Sequence, residues 1–118
     1  MIFSSRDEKG VAAFRKVLDG TKTVTRRTKP LPVGKGFAVQ PGRGEKTVCR
    51  AVVISCVQHN DWYASEISSL EGTPRWKRAM LAEARAEGFE SVDFWLDWYP
   101  RHGLDVNETF RIEFRIIS

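Results

Sequence analysis

The alternation of apolar and polar residues along the chain predicts short strands separated by helices. Residues 109–117 alternate strictly, which is typical of a strand buried on one face. Residues 47–57 give the longest strand signal of the first half, and residues 37–40 predict a brief strand before a Pro-Gly turn. Residues 1–4 predict a short strand or an extended entry. The C-terminal residues expected to face inward are Phe110, Ile112, Phe114 and Ile116.

Helical spacing occurs in three places. Residues 11–19 predict a short helix that ends at a glycine. A second helix is predicted to begin at an N-cap Thr73 and to run to Glu87, with another glycine after it. A third is predicted over residues 92–98, ended by Pro100. The apolar face of the first helix is expected to contain Val11, Phe14, Val17 and Leu18.

These elements fit one α+β domain over residues 1–118, built on a small mixed β-barrel. The chain is 42% hydrophobic, with seven Phe and four Trp, which is enough for a real core. It lacks an apolar run near the roughly 20 residues that span a bilayer. Charged residues follow the first five positions at once, unlike a secretory signal. A cytoplasmic protein without a membrane association is expected.

The two cysteines, Cys49 and Cys56, both lie in the strand predicted over residues 47–57. Because the two cysteines are seven positions apart, a regular strand would place their side chains on opposite faces and about 23 Å from each other. Neither belongs to a Cys-x-x-Cys pair. We therefore expect reduced thiols, no metal site and no cofactor.

Positive charge is concentrated in residues 22–50, which hold eight Lys or Arg against the single acid Glu45, a balance of +7. The whole chain carries +4, so the remainder carries −3. Such a field favours an anionic partner, and nucleic acid is the commonest. The alternative is a solvated basic surface without a partner.

Within that region, residues 19–30 contain four cations and four threonines in twelve positions. The core is Gly20-Thr21-Lys22-Thr23-Val24-Thr25-Arg26-Arg27. With residues 37–43, the Ala-Glu-Gly-Phe stretch at 86–89 and the final strand at 110–117, this segment resembles the ASCH domain family. The resemblance covers nearly the whole chain in the right order. It implies an α+β fold with a small PUA-like mixed β-barrel and flanking helices.

The helix predicted up to Glu87 carries two carboxylates on its apolar side. At 100° per residue, Glu83 and Glu87 fall within the arc of Trp76 and Met80. Burial and the helix C-terminus would both raise the pKa of Glu87, which would suit a general base near neutrality. The alternative is a structural salt bridge.

Some ASCH proteins are amidohydrolases of N4-acylated cytidines that rely on a Lys, a Thr and a Glu. The resemblance places these roles on Lys22, Thr25 and Glu87. Thr25 would attack the acyl carbonyl, Lys22 would move the proton or stabilise the oxyanion, and Glu87 would act as base or orient the lysine. In a regular strand Lys22 and Thr25 would face opposite ways, so their meeting requires a turn after Gly20 or a bulge.

Our leading interpretation is an ASCH domain that binds RNA or a nucleotide in a basic cleft, without a metal or cofactor. The amidohydrolase is the alternative, and a ribonuclease is a further one because some ASCH proteins act on RNA. A protein that acts only through a protein partner stays open as a third class. Phosphate contacts are assigned to Lys22, Arg26, Arg27 and Arg43, and hydroxyl contacts to Thr23 and Thr25. Base stacking or core packing is assigned to Trp62, Tyr63, Trp95, Trp98 and Tyr99. The only imidazoles are His59 and His102.

Overall fold

The computed structural model describes residues 1–117, in which four strands form one antiparallel sheet. The strands are β1 (Val24–Arg27), β2 (Gly36–Val39), β3 (Cys49–Gln58) and β4 (Phe110–Ile116), in the order β1-β4-β3-β2. The mixed helix and strand composition that we predicted is confirmed. The sheet stays open, with β1 and β2 as its edges, so these strands do not make a barrel.

Four α-helices and three short helical turns complete the chain. The α-helices are α1 (Ala13–Leu18), α2 (His59–Trp62), α3 (Pro74–Ala86) and α4 (Val92–Arg101). A π-helical turn at Tyr63–Ile67 and a 3-10 turn at Ser68–Leu70 lie between α2 and α3, and a 3-10 turn at Val106–Glu108 precedes β4. None of the helices in residues 1–117 combines the length and the apolar character required to cross a bilayer.

The helix boundaries follow the sequence signals closely, with two corrections. Helix α1 is shorter than predicted, and Val11 and Leu18 are exposed rather than part of its buried face. Helix α4 continues through Pro100 to Arg101 instead of ending there. A proline in the last turn removes only one main-chain N–H, and the helix ends one residue later in any case.

Helix α3 begins at Pro74 and is followed by Glu87 at its C-cap, as predicted. Thr73 occupies the N-cap, although its hydroxyl donates back to the Leu70 carbonyl (2.7 Å). Gly88 follows with a φ of +99°, a conformation that glycine adopts without strain. This turn fixes Glu87 at the end of the helix.

A bulge in β3 corrects the predicted placement of the cysteines. Val53 pairs with Phe114, but Ser55 pairs with Glu113, so Ile54 is an extra residue in the ladder. The bulge reverses the alternation, and Cys49 and Cys56 both pack against the same apolar cluster. Both are free thiols, in agreement with the expectation of reduced cysteines.

Two apolar clusters hold the fold together. The first joins the N-terminal segment and α1 to the sheet; its buried residues are Phe3, Ala13, Val17, Phe37, Val39, Ala51, Val53, Ile112 and Phe114. The second lies among the helices; its buried residues are Trp62, Ile67, Met80, Ala84, Phe89, Trp95 and Tyr99. In β4, Ile112 and Phe114 are buried as predicted, while Ile116 is 39% exposed at the end of the sheet.

Candidate functional site

A cleft opens at the free edge of β1, between the N-terminal segment and the C-terminal end of α3. It encloses about 450 Å³, counting the open space at its mouth. The space that the centre of a water molecule can reach is only about 80 Å³, below the roughly 300 Å³ at which ligand pockets begin, so the cleft admits a small chemical group while the rest of a ligand would stay at its mouth. The lining residues are Ile2, Phe3, Ser4, Ser5, Lys22, Thr25, Arg26, Arg27, Glu87, Phe89 and Trp98.

The cleft brings together five of the seven residues that the sequence assigned to a site: Lys22, Thr25, Arg26, Arg27 and Glu87. The other two, Thr23 and Arg43, are exposed and lie outside its lining. The basic segment is therefore divided, with part of it inside the cleft and part of it on the surface.

Lys22 lines the same cleft as Thr25 because it precedes the strand. Gly20 has a φ of +83°, and the main-chain N–H of Lys22 donates to the Lys16 carbonyl (2.9 Å). The next N–H, that of Thr23, donates to the Ala86 carbonyl (2.8 Å), which ties this turn to the end of α3. Regular pairing starts only at Val24. The turn after Gly20 thus removes the opposite-face objection.

The amine of Lys22 is buried at the base of the cleft. Its Nζ donates to the main-chain oxygens of Val24 and Glu87, both at 2.7 Å. Burial lowers the pKa of Lys22 to about 7; the Glu87 carboxylate opposes this, while Arg27 and Arg26 add to it. A neutral amine has two N–H donors and one lone pair. Both donors are used here, so the lone pair remains to accept a proton.

The pKa of Glu87 is lowered, so our prediction of a raised pKa for this carboxyl was wrong. Burial alone would raise the pKa of this carboxyl, but Arg26, Lys22 and hydrogen bonds from Tyr99 and Trp95 hold it below its ordinary value. The Trp95 Nε1–H donates to Oε2 at 2.6 Å, and the Tyr99 hydroxyl donates to Oε1. A carboxylate stabilised in this way is a fixed negative charge and a poor base.

Arg26 is not free to contact a phosphate. Its Nη1 donates to Glu87 Oε2 (2.8 Å), and its Nε donates to His59 Nδ1 (3.0 Å). Its Nη2 lies 2.8 Å from Glu83 Oε2 as an ion pair, without hydrogen-bond alignment. The guanidinium carbon also lies 4.7 Å from the Trp62 ring centroid. Arg26 therefore holds the carboxylates and the helices in place.

Sequence reasoning missed the other members of this buried network. Arg111 forms a bidentate ion pair with Glu83: its Nε donates to Oε2 (2.6 Å) and its Nη2 donates to Oε1 (3.0 Å). His59 is buried and accepts from Arg26, and burial, then Arg26, lower its pKa to about 4. It is thus neutral, with its proton on Nε2. The helical period placed Glu83 inward, but no sequence signal connected it to His59 or Arg111.

Arg27 has one donor without a partner. Its Nη2 donates to the Ile2 carbonyl (2.8 Å), which anchors the N-terminal segment beside β1. Its Nε is buried and has no hydrogen bond within residues 1–117. Burial lowers the pKa of Arg27, although Glu87 and Tyr99 oppose the shift. A buried unpaired N–H is costly unless a ligand or water satisfies it.

Most of the aromatic residues belong to the core rather than to a stacking surface. Trp62, Trp95 and Tyr99 are buried in the second cluster. Trp98 alone of the five lines the cleft, and its ring stacks on His102 at a centroid distance of 4.1 Å. Neither imidazole lines the cleft, and residues 1–117 contain no cluster of three potential metal-binding side chains.

Comparisons of the chain with protein-family models, with curated proteins and with solved structures found no match.

Proposed function

We propose that this chain is an ASCH-like domain whose cleft hydrolyses the amide bond of an N4-acylated cytidine. The observation that carries this proposal is the position of Lys22, an amine buried at the base of the cleft with both N–H donors bound to carbonyls. The pKa of this amine is about 7, and it shares the cleft with the Thr25 hydroxyl. Nucleophilic acyl transfer needs such a base together with such a hydroxyl. Phosphate binding needs exposed cations instead, and Arg26 is engaged by two carboxylates.

In the proposed reaction the Lys22 amine takes the proton of the Thr25 hydroxyl as Oγ attacks the acyl carbon. The C–N bond then breaks, and Lys22 returns the proton to the departing N4, which releases cytidine. Water hydrolyses the Thr25 ester with Lys22 again as base, which releases the carboxylic acid. One water is consumed, and neither an oxidant nor a metal is needed.

Glu87 and Arg26 support this chemistry without exchanging protons. The Glu87 main-chain oxygen holds the Lys22 amine, and its carboxylate favours the ammonium that forms during attack. Arg26 lowers the pKa of both Lys22 and Glu87, so it holds Glu87 ionised. Of the two roles that the sequence left open for Glu87, we therefore propose that it positions Lys22, and that Lys22 is the base.

The N-terminal segment supports the proposed relation to PUA-like barrels. The Phe3 N–H donates to the Gln40 carbonyl (2.9 Å), next to β2 at one edge of the sheet. Arg27, on β1 at the other edge, donates to the Ile2 carbonyl. The segment thus bridges the two edge strands, and we propose that it completes a barrel-like closure around the first apolar cluster.

The test is the release of cytidine from N4-acetylcytidine by the purified protein, followed by chromatography. We expect turnover in the wild type and in Lys77→Ala, an exposed control outside the cleft and the basic segment, and none in Lys22→Ala. Because Lys22 is buried, circular dichroism must show that the Lys22→Ala variant is folded. Thr25→Val, which removes the proposed nucleophile, should abolish turnover as well. No turnover at high wild-type concentration would disprove the proposal.

A second candidate function, RNA or nucleotide binding, is favoured by the exposed cations of the basic segment. Lys29, Lys35, Arg43, Lys46 and Arg50 are all exposed and lie outside the cleft. Binding through them should weaken steeply as salt rises, because counterions are released from the phosphates. A titration of single-stranded RNA across salt would measure the slope, and Arg43→Ala should reduce it by about 1 if Arg43 contacts a phosphate. A flat salt dependence would remove this candidate.

A further inference from the structure

The register of β1 decides which of its main-chain groups face the cleft. The Phe114 N–H donates to the Thr23 oxygen (3.0 Å), and Val24 lies opposite Glu113. In an antiparallel pair, hydrogen-bonded and non-bonded positions alternate. Thr25 therefore exchanges hydrogen bonds with β4, while the N–H and C=O of Arg26 point to the free edge.

The lysine contact agrees with this direction. The main-chain N–H and C=O of Val24 point to the free edge of β1, as those of Arg26 do. At this edge the Val24 oxygen accepts a hydrogen bond from Lys22 Nζ. The structure gives the Arg26 main-chain N–H no hydrogen-bond partner within residues 1–117. This N–H directly follows Thr25 in the chain, and both residues line the cleft.

A second donor lies two positions after the threonine. Residues i and i+2 of a strand share a face, so the Arg27 side chain leaves β1 on the same side as Thr25. Its Nε–H is the buried donor without a partner, and its guanidinium carbon lies 5.4 Å from the ring centroid of Phe3, which also lines the cleft. Two donors without a protein partner thus belong to the two residues that follow Thr25, and all three residues line the cleft.

We infer that the main-chain N–H of Arg26 and the Nε–H of Arg27 form an oxyanion hole for a carbonyl attacked by Thr25. This inference rests on the proposed function. When Oγ bonds to the acyl carbon, the C=O electron pair moves onto oxygen, and the negative charge forms beside these two donors. Preorganised N–H groups stabilise such charge more than they stabilise the ground-state carbonyl. The Nε–H then gains the partner that it lacks.

The kinetic test uses Arg27→Lys, which keeps a positive charge able to reach the Ile2 carbonyl but removes the Nε–H. We expect kcat to fall by about 10²-fold with KM nearly unchanged, because a donor used only in the transition state is lost. Arg78→Lys, at an exposed arginine of α3 outside both the cleft and the basic segment, is the matched control and should keep the wild-type kcat. If Arg27→Lys keeps kcat while Lys22→Ala loses activity, the oxyanion hole is refuted and the hydrolase stands.

A binding test works even if no hydrolysis is found. Acetate, the product carboxylate, is titrated into ¹⁵N-labelled protein while the Arg26 amide and Arg27 Nε–H resonances are followed by NMR. We expect both to shift, with the Thr25 amide, which faces β4, much less affected. Chemical-shift changes at both N–H groups without any hydrolysis would disprove the proposed hydrolase activity. They would still identify this pair of donors as a binding site for an anionic oxygen. An Arg26 amide insensitive to acetate would refute the inference.

Discussion

Lys22 Nζ lies 2.7 Å from the main-chain oxygen of Glu87, a residue 65 positions later in the chain. The Glu87 carbonyl is one of those that a helix leaves without an intrahelical partner at its C-terminus, where an amine is a favourable neighbour. One hydrogen bond therefore caps α3 and holds the lysine at the edge of β1. It connects the stability of the fold with the chemistry of the cleft.

The rate of hydrolysis should rise as pH rises through about 7. Lys22 acts as a base only when neutral, and its pKa is lowered to about 7, so the active fraction grows above that pH. Initial rates with N4-acetylcytidine between about pH 5 and 9 measure the profile. A rate that falls across this window would contradict the role of Lys22 as base.

The stability of the protein should respond to the same titration. Unfolded Lys22 binds its proton up to about pH 10.5, while in the folded protein the proton is lost near pH 7. The unfolded state therefore holds more protons between these values, and stability due to this group rises with pH across them. Urea denaturation of wild type and Lys22→Met at pH values between about 7 and 10.5, above the range in which His59 titrates, should show a larger gain in the wild type. Equal pH slopes would contradict the lowered pKa.

The hydroxyl of Thr25 should be essential, whereas its methyl group should not. Thr25→Ser keeps the nucleophile and should retain much of the activity, while Thr25→Val keeps the shape and should lose it by at least about 10³-fold. Mass spectrometry of a quenched reaction should also detect an acetyl group on residue 25 in the wild type. Activity in Thr25→Val would instead indicate direct attack by water.

Replacing the Glu87 carboxylate should destabilise the fold strongly. Glu87→Gln keeps the shape but leaves the Arg26 guanidinium buried without this ion-pair partner, which costs about 3–5 kcal/mol in such pairs. Glu66→Gln, at an exposed position, is the control and should change the free energy of unfolding by less than about 0.5 kcal/mol. Chemical denaturation measures both. A loss similar to that of the control would show that the pair contributes little.

His59 should remain neutral well below the pH at which a free imidazole titrates. Its pKa is lowered to about 4 from 6.5, because it is buried and lies beside the positive charge of Arg26, from which it also accepts a hydrogen bond. The unfolded state takes up a proton first, so stability from this group is lost as pH falls from about 6.5 towards 4. The ring ¹⁵N shifts at about pH 5.5 should be those of the Nε2–H tautomer. A protonated ring there would contradict the buried hydrogen bond.

Local patterns in the sequence were sufficient for β2, β3, β4, α1, α3 and α4 and for the buried face of α3, but not for β1 or α2. Thr73 and Pro74 located the start of α3, and the helical period placed Glu83 and Glu87 on its buried side, as the structure confirms. These features depend on residues a few positions apart, whose relative directions the helix itself fixes. The open sheet edge, however, could not be read from the same patterns.

Partners from distant elements decided the rest. The bulge at Ile54 arises from pairing between β3 and β4, so the faces of the two cysteines could not be read from spacing. The Glu87 pKa moved opposite to expectation because its partners, Arg26, Trp95 and Tyr99, come from β1 and α4. Charge state depends on what surrounds a group in space, and only the folded chain sets those distances.

The sequence by itself determined most of the α+β elements, both ends of α3 and the segment that holds Lys22 and Thr25, because these rest on local conformational preferences. Tertiary structure alone decided that the turn after Gly20 brings Lys22 into the cleft that Thr25 lines and to the carbonyl of Glu87, the C-cap of α3. It also engaged Arg26 with carboxylates, removing it from any phosphate site. The reason is that burial and long-range pairing set protonation and availability, which no run of neighbouring residues encodes.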